Sequence, residues 1–244
     1  AIAELECTFA DDPAVTVKPL KSVYPQGAKQ VLLYNATGKV VGPGQRLASL
    51  GVIIINVTSL TKVAQYMNDG MPLVEKTVTV DGSAVKEPKN LIVPIGTPVG
   101  YVIEQAGGFK CEPGKVILGG PMMGICATSF DAPTVKGTAG VLFFTEEEDR
   151  HVENPTCIRC GKCISVCPMN LEPVFMYMYY SKRDFENMEK YHILDCFECG
   201  SCAFNCPARM PLTHAFKTAK LMFRAKADKE KAKAAAEAAA KEAK

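Results

Sequence analysis

Apolar and polar positions alternate with different periods along this chain, and the changes of period divide it. Residues 1–9 read as the inside of a helix. Short apolar runs at 15–17 and 52–55 flank a helical stretch at 28–36 that stops near Gly38. Strand and helix in alternation predict part of an α/β unit that lacks its earlier strands. From Thr77 the period becomes two: Val78 and Val80 lead into Asp81-Gly82, a hairpin signal, and Leu91 and Val93 resume the pattern. Thr97-Pro98 predicts a helix start, with the threonine as cap and the proline as first residue, and Gly107-Gly108 closes that helix after Ala106. A further strand at 116–118 runs into the turn Gly119-Gly120-Pro121. Two strands, a helix and further strands predict a small half-open sheet crossed by one helix, a β-grasp-like unit.

Helical spacing returns beyond an acidic hinge at 145–150. Pro173 sits in a first turn, and Val174, Tyr177, Met178, Ser181, Phe185 and Met188 follow on one predicted helix. Behind Pro211, the positions Leu212, Phe216, Ala219 and Phe223 make a second helical stripe. Residues 225–244 are only Ala, Lys, Glu and one Asp, which predicts a solvated, fraying helix with no face to dock. The fold class predicted is α+β, with boundaries at 1–75, 76–146, 147–224 and a tail at 225–244.

Composition narrows the function. The 244 residues are 48% hydrophobic, enough to build real cores. A net charge of +2, with no Lys/Arg stripe interleaved with aromatics, argues against nucleic acid. The longest apolar runs, 51–57 and 116–127, fall well short of the ~18 residues of a spanning helix. No export signal stands at the start, so the expected setting is a reducing cytoplasm. The first residue is Ala1 rather than methionine, and the chain is expected to be a fragment.

The chemistry lies in the cysteines. Cys157, Cys160, Cys163 and Cys167-Pro168 form one C-x2-C-x2-C-x3-C-P run, and Cys196, Cys199, Cys202 and Cys206-Pro207 form another. Bacterial ferredoxins hold 4Fe-4S clusters with this spacing, in which the fourth cysteine ligates the other cluster. One cluster is then expected on Cys157, Cys160, Cys163 and Cys206, the other on Cys196, Cys199, Cys202 and Cys167. Zinc favours two C-x2-C pairs or mixed Cys and His ligands, and a disulfide framework lacks an export signal. Cys7, Cys111 and Cys126 have no partner spacing and are expected to be small buried apolar residues without a role. His151, His192 and His214 flank the loops as expected hydrogen-bond donors or surface residues. Met176, Met178, Tyr179 and Tyr180 are expected as apolar packing around the clusters.

The order of these features carries a resemblance. Tyr24-Pro25-Gln26-Gly27, then Ile55-Asn56-Val57, Gly119-Gly120-Pro121-Met122-Met123-Gly124, Lys136-Gly137-Thr138 and the two cysteine runs resemble the C-terminal portion of the C subunit of the Rnf complex. That complex is the membrane-bound ferredoxin:NAD oxidoreductase that pumps sodium ions or protons. The resemblance covers nearly the whole chain except the lysine-alanine tail. It implies that 1–75 is the C-terminal part of an α/β FMN- and NADH-binding domain. It also implies that 76–146 is a soluble-ligand-binding β-grasp domain, and 147–224 an α-helical double 4Fe-4S domain. It further implies electron transfer between flavin or NAD and partner iron-sulfur clusters, with FMN as a second cofactor held mostly by an earlier domain and NAD as substrate. Implied partners are an iron-sulfur B subunit, integral membrane subunits and NAD(H), but no nucleic acid, with peripheral attachment at the cytoplasmic face of the membrane.

The resemblance also implies flavin contacts. Tyr24 and Gly27 match a tyrosine and a glycine beside flavin and nicotinamide in respiratory complex I, although Ala28 and Lys29 stand where that protein has an acidic pair. Asn56 and Ser59 match an asparagine and a threonine that touch FMN there; the other reading of Asn56 is a helix cap. Two alternatives stay open: a cobalamin reductase-like iron-sulfur flavoprotein, and a ligand- or partner-binding module whose clusters are structural.

Overall fold

The computed structural model describes residues 1–148 and 152–242. The chain forms two compact units, one from Ala1–Ile54, Gly161–Cys202 and Leu212–Lys244, the other from Ile55–Cys160 and Ala203–Pro211. The first unit begins with α1 (Ile2–Thr8) and α2 (Lys29–Thr37). α2 ends where expected: Gly38 takes a left-handed φ of 74° and returns its N–H to the Tyr34 carbonyl. The expected strands at 15–17 and 52–55 do not form, because no described segment pairs with them. Valine and isoleucine suit a pleated, half-buried surface, but a ladder needs a second strand, and here Ile53 stays exposed.

The second unit opens with α3 (Val57–Asp69), whose Asn56 side chain accepts the Thr58 N–H at 2.9 Å and so caps the helix. Five strands follow in one mixed sheet of order β2-β1-β5-β3-β4. They are β1 (Glu75–Asp81), β2 (Lys89–Pro94), β3 (Lys115–Leu118), β4 (Ile125–Cys126) and β5 (Gly140–Phe144). β1 and β2 pair antiparallel with Val78 opposite Leu91, while β1 and β5 run parallel. The period-two pattern is read out directly, since Val78 and Val80 are fully buried. α4 (Val99–Gln105) crosses the sheet and buries Val99, Val102 and Ile103 into the same core as Val141 and Phe143.

Two local expectations change in this unit. Thr97 does not cap α4, because its hydroxyl donates to the Pro94 carbonyl at 2.7 Å and Pro98 is the N-cap. The Val99 and Gly100 N–H groups instead reach the Ala132 and Phe130 carbonyls, so a loop distant in sequence satisfies them. Asp81-Gly82 begins a longer connection to β2 rather than a two-residue hairpin. Gly82 has φ 122°, and a Cβ there would stand 2.1 Å from the Phe143 carbonyl oxygen, so only glycine lets this turn approach β5. The acidic turn at Glu146–Glu148 is tied to the sheet, since the Ser83 hydroxyl accepts the Thr145 N–H at 3.0 Å and donates to Glu148.

The later segments of the chain supply α5 (Lys162–Ser165), α6 (Pro173–Ser181), α7 (Phe185–Lys190), α8 (Ser201–Phe204) and α9 (Leu212–Glu242). The single helix expected over 173–188 is two. Arg183 turns left-handed at φ 54°, and the Asp184 carboxylate starts α7 by accepting the Asn187 N–H at 3.1 Å. Hydrogen bonds from the Asn187 side chain and backbone hold the Asp184 carboxyl below its ordinary pKa. α6 packs against α9, whose Leu212, Ala215, Phe216 and Ala219 are buried as the apolar stripe requires. Phe185 meets Phe223 edge-on at 5.0 Å. The alanine-lysine tail continues α9 without a break to Glu242, and its residues 225–236 are exposed. Among the described residues no helix is long and apolar enough to cross a membrane.

Two outcomes test these contacts. Gly82→Ala forces a Cβ against the Phe143 carbonyl and is expected to cost about 3 kcal/mol, read from urea unfolding. Asn56→Ala is expected to cost about 1 kcal/mol through the lost cap, whereas Asn56→Asp keeps an acceptor and restores α3 amide protection in hydrogen exchange.

Candidate iron-sulfur site

The two cysteine runs share a backbone as well as a spacing. Two residues after the first cysteine of each, Arg159 and Glu198 have φ of 57° and 62°. Gly161 and Gly200, next to the second cysteine, have φ of 76° and 85°. Three residues after the last cysteine, Asn170 and Arg209 have φ of 53° and 54°. Four of these six positions carry side chains in the left-handed region, which costs about 1–3 kcal/mol at each unless the surroundings impose it. The turns aim amides at sulfur. Leu171 N–H donates to Cys167 Sγ at 3.3 Å, Met210 N–H to Cys206 Sγ at 3.4 Å, and Glu198 N–H to Cys196 Sγ at 3.4 Å. Such bonds favour thiolate over thiol and tune a bound cluster.

Within the first unit, Cys167 of the first run lines one pocket together with Cys196, Cys199 and Cys202 of the second. Pro168 and Leu171 follow Cys167 in the chain, Pro173 and Met176 come from α6, and Thr213 and Phe216 from α9; together they complete a mostly apolar wall. Met176 is fully buried there, and Cys199 and Cys202 are buried as well. Burial pushes the Cys196 thiol up to about 11; the nearby Cys167 and Cys199 thiols add to the rise, while the Glu198 N–H and the Lys220 charge oppose it. The Thr213 Oγ1 atom is buried in the same wall with no hydrogen-bond partner. The thiols line the pocket without closing on one point: among the described residues no three Cys, His, Asp or Glu side chains are grouped to hold a single metal ion.

This donor set fits an iron-sulfur cluster. Soft thiolates select iron-sulfur or zinc over hard cations, the apolar wall excludes water, and sulfur-directed amides are of the kind that stabilise the bound form. Thr213 supplies a hydroxyl that has no hydrogen-bond partner among the described residues. Of the remaining four cysteines of the two runs, Cys157 and Cys160 are exposed, while Cys163 and Cys206 are half-buried.

The remaining sequence-predicted residues divide. The Tyr24 hydroxyl, expected beside flavin, donates to the Cys199 carbonyl at 2.5 Å, and burial, then the Cys199 thiol, raises its pKa. Gly27 is exposed, and a Cβ there would meet nothing within 4 Å. Asn56 caps α3, and Ser59 is exposed on the first turn of that helix. Met178, Tyr179 and Tyr180 are half-buried, with Tyr179 packed on Tyr191 at 5.1 Å. Cys7, Cys111 and Cys126 are exposed, against the expectation of burial, because none lies on an apolar face that its surroundings cover. His192 Nδ1 lies 3.2 Å from an Asp195 carboxylate oxygen, His214 is exposed, and His151 lies outside the described residues.

Thr213, Glu198 and Lys220 escaped the sequence reading. The Lys220 ammonium lies 2.9 Å from the Glu198 carboxylate and donates to the Cys196 carbonyl. A signal was present: Thr213 and Lys220 flank the stripe of Leu212, Phe216, Ala219 and Phe223 on α9, where a polar residue is carried toward whatever the stripe covers.

Known families match in the same order as these segments. A Nuo51 FMN-binding domain matches residues 1–65, an SLBB domain 77–125, and a 4Fe-4S dicluster domain 150–207. The C subunit of the Na(+)-translocating ferredoxin:NAD(+) oxidoreductase complex of Acetobacterium woodii is 40% identical over 220 residues, 90% of this chain and 50% of that protein. The C subunit of the proton-translocating ferredoxin:NAD(+) oxidoreductase complex of Clostridium ljungdahlii is also 40% identical over 220 residues, 90% of this chain and 48% of that protein. The C subunit of the ion-translocating oxidoreductase complex of Methanosarcina acetivorans is 38% identical over 211 residues, 86% of this chain and 47% of that protein. The chain thus spans about half the length of the curated relatives it matches. Over most of its length the chain is related to the C subunits of ion-translocating oxidoreductase complexes, the family that its motif order resembles.

Proposed function

We propose that this chain relays electrons, as part of a C subunit in a membrane-associated, ion-translocating ferredoxin:NAD oxidoreductase complex, through two 4Fe-4S clusters. One observation carries the reading: Cys167 of the first run shares a pocket wall with Cys196, Cys199 and Cys202 of the second. That neighbourhood supports the crossed ligation of the two-cluster ferredoxin pattern. The repeat assigns Cys157, Cys160, Cys163 and Cys206 to the other cluster, by pattern rather than position. Bound clusters supply one-electron transfer. The chain's own residues supply thiolates, aim the Leu171 and Glu198 amides at sulfur, and keep water out with Leu171, Met176 and Phe216.

The finer assignments belong to the same reading. Residues 1–75 form the C-terminal part of an FMN- and NADH-binding domain, 76–146 a β-grasp ligand-binding domain, 147–224 a helical double-cluster domain and 225–244 a solvated tail. The three family matches and the single helix across a five-stranded sheet support this division. Tyr24, Gly27, Asn56 and Ser59 are the proposed flavin contacts; the cap on α3 uses the Asn56 oxygen, so the NH2 of the same amide is the group offered to FMN. NAD(H), an iron-sulfur B subunit and integral membrane subunits are the proposed partners, with peripheral attachment at the cytoplasmic face.

Anaerobically prepared protein is expected to contain about eight iron and about eight acid-labile sulfide per chain. Stoichiometric zinc without sulfide would overturn the reading. Cys167→Ser and Cys199→Ser are expected to abolish the same low-temperature EPR signal, with Cys206→Ser affecting the other. Crossed ligation fails if Cys167→Ser leaves intact the signal that Cys199→Ser removes.

A further inference from the structure

Glu198 and Lys220 form an ion pair directly on the loop between Cys196 and Cys199. The Nζ–Oε1 distance is 2.9 Å, and the two side chains are only 17% and 24% exposed for lysine and glutamate. The lysine also donates to the Cys196 carbonyl, and the Glu198 N–H donates to Cys196 Sγ at 3.4 Å. The cation is thereby fixed against a cluster ligand through that residue's carbonyl, and the anion is held by the cation, on a residue whose backbone N–H donates to the ligand's sulfur. Glu198 itself lines the cysteine pocket. In the first run the equivalent position holds Arg159, in the same left-handed conformation but exposed. The two loops share a backbone and differ in local charge.

A charge matters most where water cannot screen it. Coulomb energy scales inversely with the local dielectric, and neither member of this pair is well hydrated. Reducing a 4Fe-4S cluster adds one electron from the donor and no proton, so the cluster gains one negative charge. A neighbouring cation favours that state and a neighbouring anion opposes it. A structural salt bridge alone would stabilise the loop without separating the effects of its two members.

We propose that Lys220 is a positioning residue that holds the Cys196–Cys199 loop by its carbonyl and raises the reduction potential of the cluster on Cys167, Cys196, Cys199 and Cys202, with Glu198 setting the opposing charge. The inference rests on the proposed cluster ligation. It adds a reason for the two clusters to differ in potential although their cysteine spacing is the same.

The test is an EPR-monitored redox titration of the whole chain with its clusters, using dithionite as reductant and the signal that Cys199→Ser removes. Lys220→Met is expected to shift that midpoint to lower potential, and Glu198→Gln to shift it higher. Lys220→Arg is expected to leave it near the original, because the charge is kept. The double variant Lys220→Met with Glu198→Gln is expected to lie between the two single variants. Shifts of the same sign in both single variants, or no shift in either, would overturn the proposal. Should Lys220→Met fail to retain iron, Glu198→Gln decides by itself: a higher midpoint supports the charge effect, and an unchanged one overturns it. Iron and sulfide measured on the unaltered protein keep the two readings apart, since their absence removes the cluster assignment and their presence with unmoved midpoints removes only this inference.

Discussion

Four thiols lining one apolar pocket are the constraint on which the rest of the first unit turns. Burying thiolates without a counterion is costly, and burial pushes the Cys196 thiol up for the same reason. A cluster held by these four sulfurs, as proposed, would remove the conflict by replacing their protons with metal, and its binding free energy would become folding free energy for the segments that bring them together. The segments are distant in sequence: Cys167 precedes α6 and α7, while Cys196, Cys199 and Cys202 follow them. α6 and α9 then act as walls, with Met176 and Phe216 buried beside the sulfurs.

The left-handed residues belong to the same logic. Arg159, Asn170, Glu198 and Arg209 occupy a conformation that L-residues disfavour, and they do so at matching places in the two runs. Local strain of this kind persists only when the surroundings over-determine it. At Asn170, Glu198 and Arg209 the sulfur-directed amides of Leu171, Glu198 and Met210 give it a purpose, because these turns bring an N–H to a cysteine sulfur. Tyr24 adds a further hold, bringing a residue from the beginning of the chain to the Cys199 carbonyl. A residue that the family resemblance assigns to flavin thus also touches the cysteine loop.

The sheet of the second unit follows a different rule. Val78, Val80, Val141 and Phe143 bury one face under α4, and the parallel pairing of β1 with β5 is closed only because Gly82 lets the turn after β1 pass against the Phe143 backbone. Ser83 continues that contact by holding the acidic turn at the end of β5.

What the sequence alone determined is what depends on near neighbours. Cysteine spacing announced the cluster chemistry, period-two valines announced β1 and β2, and Gly38 marked the end of α2, because each signal is complete within a few residues. Tertiary structure decided whatever needs a distant partner. Residues 52–55 have strand composition but no ladder, Thr97 yields its capping place to the carbonyls of Phe130 and Ala132, and α6 and α7 part at Arg183. The exposure of Cys7, Cys111 and Cys126 is likewise a property of what fails to cover them. Lys220 is the sharpest case: its place beside the apolar stripe of α9 marks a flank, but only the fold sets it between the Glu198 carboxylate and the Cys196 carbonyl. Periodicity reports which face of an element is buried, whereas the groups that meet that face are supplied by chain that folds back from elsewhere.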